Sequence, residues 1–296
     1  MMMDRRTFLK VSGASLGAVC LDATAAIPAL GAGQRLAMLY DNSKCVGCRA
    51  CQMACKQWNK LGPVSTDPQH LHEDPLGLAP DAWTLIQLAK YPVNDHRDYV
   101  FMNRACMHCG NPACVAVCPT SALKKQPNGL VTFEKELCNG CGYCTQFCPF
   151  HVPRLQITNE LTGEAKASKC TFCQDRVANN LTPYCIQSCP AGALEWGDRD
   201  AMVAKAKSRV EALKGGDYPL ANLYGETALG GLGRLYVLLA PPTAYGLPQD
   251  PKFPVSIPLW KKVIQPVGEV AFGAALLGLL GAFFIVRRNV HMEEVE

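Results

Sequence analysis

Charged residues are scarce in this chain and never gather: Asp, Glu, Lys and Arg make up 18% of its 296 residues, with a formal balance of only +4. No basic stripe is available to hold phosphates, which excludes nucleic acid as a partner. There is no P-loop, no dinucleotide fingerprint and no nucleophile–base motif. The chain therefore lacks the parts for nucleotide hydrolysis, hydride transfer or covalent catalysis, and reads as having no catalytic centre of its own. Long apolar runs are few, one at each end. Cysteine is the residue in excess.

Sixteen of the seventeen cysteines fall into four groups of four. They are Cys45-x2-Cys48-x2-Cys51-x3-Cys55, Cys106-x2-Cys109-x4-Cys114-x3-Cys118, Cys138-x2-Cys141-x2-Cys144-x3-Cys148 and Cys170-x2-Cys173-x11-Cys185-x3-Cys189. In the bacterial ferredoxin run, three such thiolates hold one [4Fe–4S] cube and the fourth ligates the neighbouring cube. Four groups imply four cubanes and iron bound through all sixteen cysteines. Zinc sites also use C-x2-C pairs, but the third thiolate of these runs has no place in a zinc knuckle. A disulfide framework would suit an exported protein, yet four repeats of one tight spacing are poor disulfide geometry. Cys20 lies outside every group, within an apolar stretch, and reads as a small hydrophobe.

An internal repeat links the groups. Leu36 to Tyr40 is strand-like and precedes the first group, as Leu130 to Phe133 precedes the third; Ala193-Leu194-Glu195-Trp196 follows the fourth as Ala122-Leu123 follows the second. Gln126-Pro127-Asn128-Gly129 joins the second and third groups as a hairpin turn. The first group should thus pair with the fourth, and the second with the third. By the fourth-cysteine rule, cluster 1 takes Cys45, Cys48, Cys51 and Cys189, and cluster 4 takes Cys170, Cys173, Cys185 and Cys55. Cluster 2 takes Cys106, Cys109, Cys114 and Cys148, and cluster 3 takes Cys138, Cys141, Cys144 and Cys118. Pro119, Pro149 and Pro190 follow the fourth cysteine of their groups, where the first group has Lys56. The fold class expected is α+β: two pseudo-symmetric ferredoxin-like dicluster units over residues 36–198.

The two ends address the chain to a membrane. Asp4-Arg5-Arg6-Thr7-Phe8-Leu9-Lys10 and the weak apolar run after it look like a twin-arginine export signal, covering residues 1–31. That route moves folded cargo, as pre-assembled clusters require. Cleavage fits Ala23-Thr24-Ala25 or a point nearer Gly31, and an uncleaved anchor is the alternative. Val270 to Val286 is seventeen residues without a charge, within a transmembrane helix read over 263–286. With its extension back to Val263 it reaches roughly 25–36 Å, enough for one crossing. Arg287 and Arg288 then place the tail, 287–296, in the cytoplasm and the cysteine region on the periplasmic side. Glu269 sits at the outer end of the span.

Between these parts, residues 56–105 form an insertion whose Pro63, Pro68, Pro75, Pro80 and Pro92 argue for loops. Asp198 to Leu213 reads as a helix with Met202, Val203, Ala206, Val210 and Leu213 on one face. The Pro- and Gly-rich stretch 216–262 completes a region, 199–262, expected to face a partner or lead to the membrane.

The order of groups, the insertion and the C-terminal helix resemble the four-cluster electron-transfer subunits of respiratory oxidoreductases, over about residues 36 to 290. Formate dehydrogenase beta subunits are suggested by Cys51-Gln52-Met53-Ala54-Cys55-Lys56-Gln57-Trp58-Asn59, by Cys141-Gly142-Tyr143-Cys144 and by Cys170-Thr171-Phe172-Cys173-Gln174-Asp175-Arg176. Gly246-Leu247-Pro248 and Leu259-Trp260-Lys261 add to this. The iron–sulfur subunit of hydrogenase-2-type nickel–iron hydrogenases is similar at Leu223-Tyr224-Gly225-Glu226 and Arg287-Arg288-Asn289, and carries its own twin-arginine signal. Many formate dehydrogenases place that signal on the catalytic subunit, from which this chain departs. The resemblance implies a relay from a catalytic subunit, a molybdopterin formate dehydrogenase or a nickel–iron hydrogenase, to an integral cytochrome b or other quinone-reactive subunit. A freestanding polyferredoxin is the alternative class, and the membrane segment argues against it.

Single residues near the groups are less informative. His108, between Cys106 and Cys109, reads as a solvent-side residue or one beside a cluster rather than a ligand. Lys44, Arg49, Arg154, Lys169 and Arg176 flank the groups and would either raise cluster potentials or serve as ordinary surface charge.

Overall fold

In a computed structural model of the chain, residues 34–63, 75–90 and 99–289 are described. The export signal with Arg5, Arg6 and Cys20, and most of the tail after Arg288, lie outside the described residues. In chain order the main elements are β1 (Leu36–Asp41), α1 (Ala50–Asn59), β2 (Leu85–Lys90), β3 (Tyr99–Arg104), β4 (Leu123–Lys125) and β5 (Val131–Phe133). There follow β6 (Arg154–Asn159), β7 (Glu164–Ser168), β8 (Leu194–Asp198), α2 (Arg199–Lys214), β9 (Asn222–Tyr224), β10 (Arg234–Leu238) and α3 (Gln265–Asn289).

The core is a four-stranded sheet in the order β8-β1-β10-β9, with β1 antiparallel to β8 and parallel to β10. β1 is buried along its whole length, as an apolar strand with neighbours on both edges and layers on both faces should be. Alternation along it sends Met38 and Tyr40 toward the cysteines, and Asp41 toward α2, where it accepts from Arg209 Nε at 3.0 Å. α2 is capped by Asp198, whose carboxylate accepts from the N–H of Asp200 and Ala201, and it buries Ala206, Val210 and Leu213 against the sheet.

The repeat read in the sequence is visible as pairing. β1 pairs with β8 in the unit built from the first and fourth groups, and β4 pairs with β5 in the unit built from the second and third. Short helical turns, Ala113–Ala116, Tyr143–Gln146 and Tyr184–Gln187, carry the third cysteines Cys114, Cys144 and Cys185, and α1 does the same for Cys51. The x3 spacing sets the fourth sulfur one turn along the same face, so a single turn can serve two neighbouring sites.

Two expectations are corrected. The stretch 216–262 does more than face a partner or lead to the membrane: its β10 is the inner strand beside β1, buried throughout, while α2 packs on the sheet as its apolar face implies. The reason is a parallel pairing between segments nearly two hundred residues apart, which composition does not reveal. The insertion is not all loop either. α1 runs on to Asn59, and β2 and β3 form a six-pair antiparallel ladder, Leu85↔Arg104 to Lys90↔Tyr99. Among the described residues, Pro63, Pro75 and Pro80 stand between α1 and β2.

At the C-terminal end, Ser256–Leu259 passes through a wider π-type turn, Trp260–Ile264, into α3. The continuous helix Ser256–Arg288 has 33 residues, none of its apolar window buried, and is long and apolar enough to cross a membrane. It starts earlier than the 263–286 expected, and Ile257 anchors it in the body.

Candidate functional site

The fold gathers the sixteen thiols into four cages. Cys45, Cys48 and Cys51 meet Cys189 around one cavity, with Tyr40 and Asn103 in its wall. Cys170, Cys173 and Cys185 meet Cys55 around another, beside Met38, Phe172 and Arg234. Cys138, Cys141 and Cys144 meet Cys118 around a third, under Leu155 and Phe133. In the second cage, Cys106, Cys114 and Cys148 lie close enough to Cys109 for their charges to act on it. The cages keep the numbers 1 to 4 of their predicted clusters.

These cages suit a cluster better than the alternatives. All sixteen are free thiols, so none is spent on a disulfide. Among the described residues, no three His, Cys, Asp or Glu side chains close around a single ion, whereas four sulfurs line a shared cavity. Donors converge on the sulfurs: Asn103 Nδ2 on Cys51 at 3.4 Å, Asn59 Nδ2 on Cys55 at 3.5 Å, and the N–H of Ala167 and Phe172 on Cys138 and Cys170 at 3.3 and 3.4 Å. The tight loops that turn backbone N–H groups inward need left-handed residues, and Gly47 and Gly140 supply them at φ 70° and 74°. A Cβ at Gly47 would stand 2.4 Å from the Phe101 ring, and one at Gly140 would stand 2.3 Å from the Ala165 carbonyl.

Burial in the cages disfavours charge on the thiols. Burial pushes Cys51 and Cys114 up to about 12, and Cys144 and Cys173 up to about 11. Cys118 goes the other way: burial pushes it up, but N–H donors from Leu123, Thr120 and Ala122, with the Thr120 hydroxyl, together hold it below the ordinary thiol value.

The cages follow one another in the order 1, 4, 2, 3. Cys51 of cage 1 and Cys185 of cage 4 share the main core. Cys170 of cage 4 packs with Cys106 and Cys148 of cage 2, and Cys114 of cage 2 packs with Cys144, Cys118 and Cys138 of cage 3. Only two of the described thiols are exposed, Cys48 in cage 1 and Cys141 in cage 3. All four cysteines of cage 4 are buried and two of cage 2 are partly exposed, so the fully exposed thiols stand at the two ends of the file.

The flanking cations divide by position. Lys44 pairs with Glu195 at 3.3 Å, Arg154 donates to the Leu78 carbonyl at 2.9 Å, and Arg176 stacks on Trp58 and Tyr184. Arg49 takes a left-handed conformation at the start of α1, in the wall of cage 1. Lys169 is buried, its Nζ donating to the carbonyls of Val131 and Cys170 at 2.8 and 3.0 Å. His108 is not on the solvent side. It is 1% exposed, stacks edge-on against Phe172, and its Nδ1 accepts from the Val131 N–H at 3.1 Å. Burial first, then the charges of Lys169, Arg234 and Lys125, pushes its imidazole well below the ordinary value, so it is neutral with the proton on Nε2. Among the described residues that Nε2 has no hydrogen-bond partner, which leaves it able to donate to a group bound nearby.

Sequence reasoning passed over Arg234 and Asn103. Each lies in a β-prone apolar run, Arg234-Leu235-Tyr236-Val237-Leu238 and Tyr99-Val100-Phe101-Met102-Asn103. A lone polar side chain on the inward face of such a run is the signal that could have found them.

Two 4Fe-4S dicluster domain families match the chain, over residues 44–122 and 97–199. The formate dehydrogenase iron–sulfur subunit of Haemophilus influenzae is 36% identical over 266 residues, 88% of this chain and 83% of that protein. The nitrate-inducible formate dehydrogenase iron–sulfur subunit of Escherichia coli is 34% identical over 265 residues, 88% of each chain. The hydrogenase-2 operon protein HybA of Escherichia coli O157:H7 is 33% identical over 286 residues, 83% of this chain and 84% of that protein. Fold and cages together define a ferredoxin-type electron carrier with several [4Fe–4S] clusters. The chain belongs to the family of formate dehydrogenase iron–sulfur subunits. It is an electron-transfer subunit without a catalytic centre of its own, and its apolar helix links it to a membrane.

Proposed function

We propose that this chain relays electrons from a formate-oxidising molybdopterin subunit to a quinone-reactive cytochrome b in the cytoplasmic membrane. Each [4Fe–4S] cluster supplies, when bound, a one-electron redox site. Cluster 1 is held by Cys45, Cys48, Cys51 and Cys189, and cluster 2 by Cys106, Cys109, Cys114 and Cys148. Cluster 3 is held by Cys138, Cys141, Cys144 and Cys118, and cluster 4 by Cys170, Cys173, Cys185 and Cys55. The observation that carries the reading is the single file of cages with Cys48 and Cys141 exposed at its ends. One end suits each partner, while all four cysteines of cage 4 between them are buried. Arg5-Arg6 and the Arg287-Arg288 pair support export by the twin-arginine route and a periplasmic position for the cages.

The complex isolated from membranes should contain molybdenum or tungsten, and formate should reduce the clusters, seen as electron paramagnetic resonance (EPR) signals. Nickel, with hydrogen as the effective reductant, would replace this reading by the hydrogenase one, which the HybA likeness over 286 residues favours. Ligand sharing is tested by Cys189→Ser. The cluster of Cys45, Cys48 and Cys51 should be lost or altered, and loss of the cluster of Cys170, Cys173 and Cys185 instead would refute the scheme.

A further inference from the structure

Two cations are buried among the cages without a carboxylate. Arg234 is 1% exposed and stands on β10 opposite Met38 of β1. Its guanidinium lines cage 4 beside Cys55, Cys170 and Cys185. One of its nitrogens donates to Asn103 Oδ1, and another lies 2.7 Å from Met38 Sδ. Asn103 in turn donates to Cys51 Sγ of cage 1 at 3.4 Å, so the same cation reaches both cages. Lys169 is also 1% exposed, directly precedes Cys170 of cage 4, and bonds to the carbonyl of Val131, which packs in the core that holds Cys114 of cage 2 beside the cysteines of cage 3. Neither forms an ion pair among the described residues.

A guanidinium cannot shed its proton in a protein, and burying it unpaired is costly. The acidic groups near Arg234 are the Tyr236 phenol, which burial keeps protonated, and thiols: Cys51, Cys55, Cys170 and Cys185 each feel its field, which favours their ionised form. Lys169 acts in the same sense on Cys114 of cage 2 and Cys170 of cage 4. A thiolate-ligated cluster is anionic and becomes more so on reduction. A nearby fixed cation therefore stabilises the reduced form more than the oxidised one.

We propose that Arg234 and Lys169 are internal counter-charges at the two inner junctions of the file, Arg234 raising the reduction potentials of clusters 1 and 4, Lys169 those of clusters 4 and 2. The proposal rests on the cluster assignment above. Cluster 3 lies beyond Arg234, which lines cage 4 and reaches cage 1 through Asn103, and serves as the reference for the Arg234 variants.

The test is EPR-monitored redox titration of the intact complex carrying Arg234→Met, Lys169→Met or Arg234→Lys, with signals assigned from cysteine variants. Arg234→Met should shift clusters 1 and 4 downward and leave cluster 3 in place. Lys169→Met should shift clusters 4 and 2 downward, so that cluster 4 alone responds to both. Arg234→Lys, which keeps the charge and loses the planar fork, should hold clusters 1 and 4 near their wild-type potentials. Iron is counted in every sample. Fewer than about sixteen irons in the wild-type chain would defeat the cluster assignment itself. Full iron with unmoved potentials, or equal shifts in all four clusters, would overturn only the counter-charge proposal. Should Arg234→Met fail to assemble, Arg234→Lys decides: wild-type potentials support the proposal, and lost clusters or lowered potentials overturn it.

Discussion

Asn103 on β3 donates to Cys51 Sγ of cage 1 across 3.4 Å, carrying a residue of the insertion into the cysteine framework. The same side chain accepts from Arg234 with its oxygen, so its two ends join the sheet's buried cation to a thiolate. Asn103→Ala removes an N–H···S donor and leaves Arg234 without that acceptor. The expected result is a lower potential for cluster 1, with a stability loss of about 1–3 kcal/mol from the unpaired buried group. Redox titration and thermal unfolding check both, and an unmoved cluster 1 would refute the first.

Gly140 rests against the backbone of β7. An alanine there would meet the Ala165 carbonyl at 2.3 Å and would also sit at a left-handed φ, which alone costs about 1–2 kcal/mol. β7 closes cage 3 through the Ala167 N–H on Cys138 Sγ and the Lys166 ammonium on the Cys138 carbonyl. Gly140→Ala should push this hairpin off the cage and lose cluster 3 selectively. Iron should fall from about sixteen to about twelve per chain. Full iron content with an intact cluster 3 signal would show that the hairpin can yield.

How much of this was legible follows from how local each feature is. The cysteine groups state themselves because a cage demands fixed short spacings, and the turn at Asn128-Gly129 and the cap at Asp198 are equally local. The position of Arg234 is not local, since it depends on β10 lying beside β1 across nearly two hundred residues. Asn103 was hidden for another reason: five prolines in the insertion argue for loops throughout it and conceal the pairing of β2 with β3. His108 sits in a loop where neither helix nor strand period applies, so its burial against Phe172 could not be read from the sequence.

Removal of iron should make stability depend on pH in a definite direction. In the metal-free fold, burial pushes Cys51 to about 12, and Cys144 and Cys173 to about 11. The unfolded chain would release these protons near the ordinary thiol value, whereas the folded chain still holds them. Between about pH 9 and 12 the folded state thus binds more protons, and stability falls as pH rises. The melting temperature of chelator-treated protein should be steady below about pH 8.5 and decline above it. A rise through that window would contradict the sign.

The helix from Ser256 to Arg288 leaves the body at Ile257, which is buried, while Leu259 and Trp260 are already exposed. Glu269, the acidic residue within it, accepts from Gln265 Nε2 one turn earlier at 3.0 Å. That pairing, at the end that would face the headgroups, gives the carboxylate a structural partner and no link to the cages. The helix itself is the functional element: an apolar rod left uncovered by the other described residues docks the cages on a membrane subunit. A chain ending after Trp260 keeps Ile257 in place and should hold all four clusters. Dye reduction by the catalytic partner should continue largely unchanged, because it needs only the cages. Quinone reduction should collapse, because the open end of the file is no longer held at the membrane. Full quinone reduction by the shortened chain would mean that contacts of the cage region alone hold the complex, and the helix would lose its assigned role.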